Sequence, residues 1–399
     1  MSMKKVASQR ALISGVSLIF LLFFVSVSSF AWELDEIRTA IKERKARWRA
    51  GETSISNLPP EQRRLRVRLI KPKDRDGESL LLASPPISGL PTSFDWRNYN
   101  TQNYVTSVRD QGNCGSCWAF ATAGALESYT LIKDNSPGLS LNLAEQILVS
   151  CSGAGSCSGG YIDRASSFIR DAGLPQESCY PYTVTNGSCG NACPNWQSNS
   201  DWIGSWSYVA TTSPALDAIK NALYTHGPLV TTMDVYTDFF SYRSGIYSYT
   251  WGNYEGGHAV LIVGFDDTDQ HFIVKNSWGN GWGEGGFFNI AYTQISYPVE
   301  FGYWTIAYHQ EVVCTYSISP TSQSFPAAGG TGTIKVTAGT NCTWTAVSNA
   351  AWITINSGAT GIGKGSVQYN VAPNKTRSTR KGTITVAGKK VTVTQNRNR

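Results

Sequence analysis

Apolar residues recur along this chain with two different periods, and the change of period divides it. Near the N-terminus, in "WELDEIRTAIKERKARWRAG", Leu34, Ile37, Ile41 and Trp48 fall near helical spacing and the run stops at Gly51. That pattern predicts an amphipathic helix. A basic, breaker-rich stretch, "SNLPPEQRRLRVRLIKPKDRDG", and the linker "ASPPISGLPTSFDW" follow. Alone, this segment would bury little, so it is expected to lie on another surface. From Leu90 to about Tyr308 helical and strand-like patterns mix. A helix is expected from Cys117 to about Lys133, with Phe120, Gly124 and Leu131 near one face. Asn142, three residues before Glu145 and ahead of Ile147 and Leu148, reads as a capping box opening a second helix. "GPLVTTMDVY", "GHAVLIVGFD" and "QHFIVKNSW" read as strands. Beyond Cys314 the runs "GTIKVTA", "CTWTAVS", "AWITI", "GSVQYNVA" and "GTITVAGKKVTVTQ" alternate with period two between Gly and Asn breaks. They predict a small β-sandwich.

Charge follows the same divisions. Residues 1–90 hold 16 Lys and Arg against 9 Asp and Glu, residues 91–313 hold 8 against 19, and residues 314–399 hold 10 against none. The net values of +7, −11 and +10 predict three modules behind the overall charge of +6. A length of 399 residues agrees with more than one core. The first 31 residues carry Lys4, Lys5 and Arg10, then an apolar run through Phe24, then small residues at Ser29 and Ala31. This is the pattern of a secretory signal cut before Trp32. Its apolar part falls short of the roughly 20 residues a spanning helix needs, and no later segment is expected to cross a membrane. Export, to a periplasmic or extracellular space, would place nine cysteines where thiols oxidise. The number is odd: setting one thiol aside for chemistry leaves eight, enough for four bridges.

The stretch "QGNCGSCWAF" poses the chemical question, because Cys114 and Cys117 form a CxxC pair. Such a pair is a redox disulfide, half of a metal site, or a structural cysteine beside a nucleophile. Neighbouring sequence favours the last. "CGSCW" has the form found around the nucleophile of papain-like cysteine peptidases, with "GGHAV" supplying His258 and "KNSWGNGWGE" supplying Asn276 downstream. From "LPTSFDWR" to "GYWTIAYH" the chain resembles the papain-like (C1) family. The similarity runs through "VRDQGNCGSCWAF", "LAEQILVSC", "CSGGY", "YPY", "DFFSYRSGIY", "GHAVLIVGF" and "KNSWGNGWGEGGFF". Several blocks in the right order make it specific.

The resemblance implies an α+β, two-lobed papain-like fold over 90–313 and an inhibitory propeptide over 32–89, between the signal peptide read over 1–31 and the sandwich domain read over 314–399. It implies a thiol endopeptidase acting through an acyl-enzyme, with no cofactor and no metal. A thiol attacks only as thiolate, and Cys117 in the first turn of a helix meets free amides and the positive end of the dipole. His258 would pair with that thiolate and later protonate the leaving amine. Asn276 would orient the imidazole, Trp278 would shield their bond, and Gln111 with the Cys117 N–H would stabilise the oxyanion. Gly159 and Gly160 would offer a backbone edge to an extended peptide or protein substrate. The pocket near Tyr161, Ile162, Gly256, Gly257 and 303–306 suggests an apolar or aromatic preference two residues before the cut. The family's bridges would join Cys114 to Cys157 and Cys151 to Cys189 or Cys193. Cys179 would take whichever of those two is left, and Cys314 would pair with Cys342.

Residues 32–89, with 13 basic against 9 acidic side chains, complement the acidic body, although the interspersed helix motif of the larger propeptides is missing. The tail resembles a BACON-type module, which implies binding of carbohydrate or an anionic surface, or a mere spacer. No sequence-reading nucleic-acid motif occurs. The competing reading from another class is a silent papain-fold adhesion protein that works through its tail.

Overall fold

The computed structural model describes residues 32–72, 89–212, 214–310, 314–339 and 342–398. The expected signal peptide and most of the Pro-rich linker lie outside these. The chain divides into two compact units, 1–310 and 311–399.

The first unit begins with helix α1 (32–43), which buries Leu34 and Ile37. It ends sooner than the apolar spacing predicts. Lys45 adopts φ 51° and the Ala46 N–H closes the turn on the Ile41 carbonyl at 3.0 Å. Trp48 therefore sits on a strand, β1 (Trp48–Ala50), and not on the helix. Its ring packs on Tyr242 and Tyr247, with its indole N–H on the Ser248 carbonyl. A short helix, α2 (Pro60–Leu65), starts on a proline, whose fixed φ and missing N–H suit a first turn.

Helix α3 (Cys117–Lys133) spans the predicted residues, but it is buried from Cys117 to Leu131 and shows no single apolar face. A helix buried all round lies in a core. Helix α4 (Glu145–Cys151) corrects the capping box. Ala144 is its N-cap and the side-chain oxygen of Asn142 has no partner. Glu127 instead takes the Leu143 N–H at 2.9 Å. Helix α5 (Ile162–Ala172) completes this helical lobe and stops at Gly173, whose φ of 73° suits glycine.

The second lobe is a nine-stranded sheet. Its members are β1, β2 (Ser93–Asp95), β3 (Ser205–Ala210), β4 (Leu229–Tyr236), β5 (Tyr242–Tyr247), β6 (Tyr254–Asp266), β7 (His271–Lys275), β8 (Phe287–Ala291) and β9 (Tyr303–His309). The order is β1-β5-β8-β7-β6-β4-β9-β3, with β2 on β6. Helix α6 (Leu216–His226) lies between β3 and β4 in the chain. β6 and β7 pair antiparallel with Leu261 opposite Lys275, which brings the start of β6 beside the residues just after β7. His258 and Asn276 occupy those two places.

The second unit forms two sheets of four and five strands around Ile334, Val336, Val367, Tyr369, Val386 and Val391. In the strand Gly330–Ala338 the residues Ile334 and Val336 point inward while Thr333, Lys335 and Thr337 are exposed, the alternation read from the sequence. Together with the α+β first unit, this is the all-β sandwich expected for the tail.

Candidate active site

Cys117 opens α3, and the side chain of Ser116 before it does not cap the helix. That hydroxyl bonds the Tyr182 phenol at 2.6 Å, and the phenol donates to the Gln111 carbonyl at 2.8 Å. The first amides of the helix are thereby left for the sulfur. The N–H groups of Cys117, Trp118, Ala259 and Arg68 all favour its charged form. Burial outweighs them and pushes the thiol up to about 11. His258 is also buried, and loss of water drives its pKa down to about 4. With the cleft covered in this way both groups are neutral at pH 7.

The imidazole is held from one side. Its Nε2 lies 2.8 Å from Asn276 Oδ1, the Trp278 ring packs at 4.8 Å between centroids, and Nδ1 has no bonded partner. Trp278 is fully buried among Phe239, Phe240 and Trp282, so it backs the histidine and Asn276. No local pattern in the sequence marks Ser277. Its hydroxyl donates to Gln111 Oε1 at 2.7 Å and its N–H to Asn276 Oδ1 at 2.8 Å, so one residue orients both amide side chains. Gln111 then points its Nε2 at the Cys114 carbonyl, 2.9 Å away, and the Arg66 carbonyl, 3.2 Å away.

Arg66 belongs to the N-terminal segment, which crosses this site. Arg68 offers its N–H to the sulfur, and the Arg66 carbonyl also faces the imidazole, without bonding geometry to Nδ1. Further on, Leu69 donates to the Gly257 carbonyl and Ile70 to the Gly160 carbonyl, each at 3.0 Å, and Leu69 bridges Gly160 in the parallel sense. Gly159, at φ 123°, and Gly256, at φ 152°, allow this approach: a Cβ on either would collide with the carbonyl oxygens of Arg68 and Val67. Ion pairs fasten the strap. Arg66 meets Asp110 at 2.6 Å, Arg64 meets Glu255 at 2.7 Å, and Lys71 meets Asp234 and Glu300.

The structure pairs Cys114 with Cys157, Cys151 with Cys189, Cys179 with Cys193 and Cys314 with Cys342. The choice between Cys189 and Cys193 is thus resolved. Cys117 is the free cysteine. A CxxC disulfide fails because Cys114 is bonded to Cys157, and a zinc site drawing on Cys114, Cys117, Cys151 and Cys157 fails because every one of these sulfurs except that of Cys117 lies in a disulfide. Among the described residues no cluster of three metal-ligating side chains occurs, and no helix is long and apolar enough to cross a membrane.

Residues 90–302 match the family described as papain family cysteine protease. The chain belongs to that family. It is therefore a cysteine peptidase by family. A cathepsin L-like proteinase of Fasciola hepatica is 39% identical over 208 residues, 51% of this chain and 60% of the relative. Cathepsin B-like CP3 of Giardia intestinalis is 33% identical over 286 residues, 68% of this chain and 93% of the relative. A digestive procathepsin L2 structure from Tenebrio molitor larval midgut superposes with a TM-score of 0.61 at 26% identity, covering 75% of this chain and 95% of that one. Residues 315–397 match the family described as viral BACON domain, a description that names no ligand.

Proposed function

We propose that the protein is a secreted cysteine endopeptidase made as a zymogen, with residues 32–89 as its inhibitory propeptide. Cys117 is the nucleophile. His258 takes the thiol proton, leaving a thiolate and imidazolium pair, and later returns a proton to the leaving amine. Asn276 and Trp278 keep the ring in place and dry, and the Gln111 amide with the Cys117 N–H stabilises the tetrahedral oxyanion. Water then releases the acyl group from sulfur. Gly159 and Gly160 bind the peptide main chain as an added strand.

The observation that carries this reading is the strap itself. A peptide backbone already lies across the sulfur, with its Arg66 carbonyl on the Gln111 amide, where a substrate carbonyl oxygen would be received. It runs parallel to the glycine edge. That direction keeps a peptide bond from presenting itself for attack. The procathepsin relatives support the same reading. The silent adhesion alternative has nothing comparable in its favour, because it leaves the joint placement of Gln111, Cys117, His258 and Asn276 unexplained.

The test is hydrolysis of an unfolded protein by material processed near residue 89. Cys117→Ala and His258→Ala, if still folded, should each lose activity at least a thousandfold. Retained hydrolysis in either variant would refute the proposal.

A further inference from the structure

We propose that Asp234 and Glu300 form an acidic subsite that selects a lysine or arginine side chain two residues before the scissile bond. This deepens the peptidase reading and rests on it. Asp234 lies on β4 and Glu300 in the turn before β9. In the strapped state both bind one cation: Lys71 Nζ is 2.9 Å from Asp234 Oδ2 and 2.7 Å from Glu300 Oε2.

The position of this pair along the cleft follows from the backbone register. Leu69, two residues before Lys71, is bonded to Gly257 and bridged to Gly160, the two glycines that flank the cleft. A substrate residue laid on Gly160 stands where Leu69 stands. Asp234 is the direct cross-strand neighbour of Gly257. With no side chain on Gly257, nothing from that residue separates the Leu69 place from the carboxylates. A Cβ there would stand 3.5 Å from that of Leu69.

The chemistry of the pair demands a cation. Asp234 is 9% exposed, and besides Lys71 its carboxylate has the Tyr254 hydroxyl close enough to favour the charged form. Burial disfavours ionisation of Asp234 most strongly, and the nearby charge of Glu300 acts in the same direction, while Lys71 opposes both. When the strap leaves, Lys71 leaves with it, and two neighbouring carboxylates face the cleft without their counter-charge. A lysine or arginine from a substrate restores that charge through charge-assisted hydrogen bonds, whereas leucine cannot. The apolar preference suggested by the sequence did not include these two residues, which lie 163 and 229 positions from Lys71.

The test uses the processed enzyme and four fluorogenic peptides identical except at the second position, which holds lysine, arginine, norleucine or leucine. The wild type should favour lysine and arginine over norleucine in kcat/KM. That ratio should fall roughly tenfold or more in Asp234→Asn and in Glu300→Gln. Glu300 is the more exposed of the two, so its variant keeps the test alive if Asp234→Asn misfolds. Preference for norleucine or leucine in the wild type overturns the proposal. A ratio unchanged in the variants also overturns it and leaves the two acids as a clamp for the strap. Cleavage without basic preference sinks this inference alone. No cleavage of any of the four, with Cys117 inert to a peptidyl epoxide, sinks it together with the peptidase reading.

Discussion

The hydroxyl of Ser277 donates to the side-chain carbonyl of Gln111 at 2.7 Å, across 166 residues of sequence. A carboxamide has one donor end and one acceptor end, so fixing the acceptor fixes where the donor points. Through its own N–H on Asn276, the same serine also steadies the partner of His258. Two side chains proposed to act on different atoms of the reaction thus share one support.

Replacing Ser277 with alanine should therefore act on turnover more than on binding. The Gln111 oxygen would lose its donor in a buried site, and the amide would be free to rotate. A loss of roughly tenfold to a hundredfold in kcat with little change in KM is expected, and Ser277→Thr should recover part of it. Steady-state kinetics on processed enzyme check this. An equal rise in KM with kcat intact would mean that Ser277 serves substrate binding.

Covering the cleft gives the proenzyme a pH dependence with a definite sign. His258 is depressed to about 4 in the strapped fold against an ordinary value of 6.5. Below 6.5 the unfolded chain takes up a proton that the fold refuses, so stability falls as pH drops through this window and the loss is complete near 4. In a Cys117→Ser proenzyme, which cannot process itself, the thermal midpoint should fall between pH 7 and pH 4. His258→Gln should flatten that slope. An identical slope in both would place the effect on other groups.

Gly256 should matter to inhibition. A side chain there would strike the Val67 carbonyl, so Gly256→Ala should weaken inhibition by an added peptide of residues 32–72 by roughly tenfold or more. The concentration that halves activity reports the effect. Unchanged inhibition would show that the strap does not use this passage.

Denatured without reductant, the protein should titrate one thiol, at position 117, and peptide mapping should find Cys114 joined to Cys157. A bridge between Cys114 and Cys117 would restore the redox reading.

Local signals and long-range ones differ in how far the sequence discloses them. Helix α3 was legible to the residue because good helix formers run from Cys117 onward. The alternation of the tail was legible for the same local reason. The four residues Gln111, Cys117, His258 and Asn276 were legible only through the resemblance of whole blocks, since nothing in the spacing shows that β6 and β7 bring His258 beside Asn276. Asn142 misled because Glu127, a residue of another helix, had already taken the amide next to it. Trp48 misled because Tyr242 and Tyr247 offered it a better seat than the helix surface. Ser277, Asp234 and Glu300 gave no local sign, because their partners become neighbours only after folding.

The account rests on the strap keeping Cys117 neutral and out of reach, with its thiol pushed up to about 11. The most direct measurement is the rate at which a peptidyl epoxide alkylates Cys117 at pH 7, in the intact proenzyme and after removal of residues 32–89. The account predicts a rate at least a hundredfold higher in the processed form, lost again in His258→Ala. Equal rates before and after processing would contradict it.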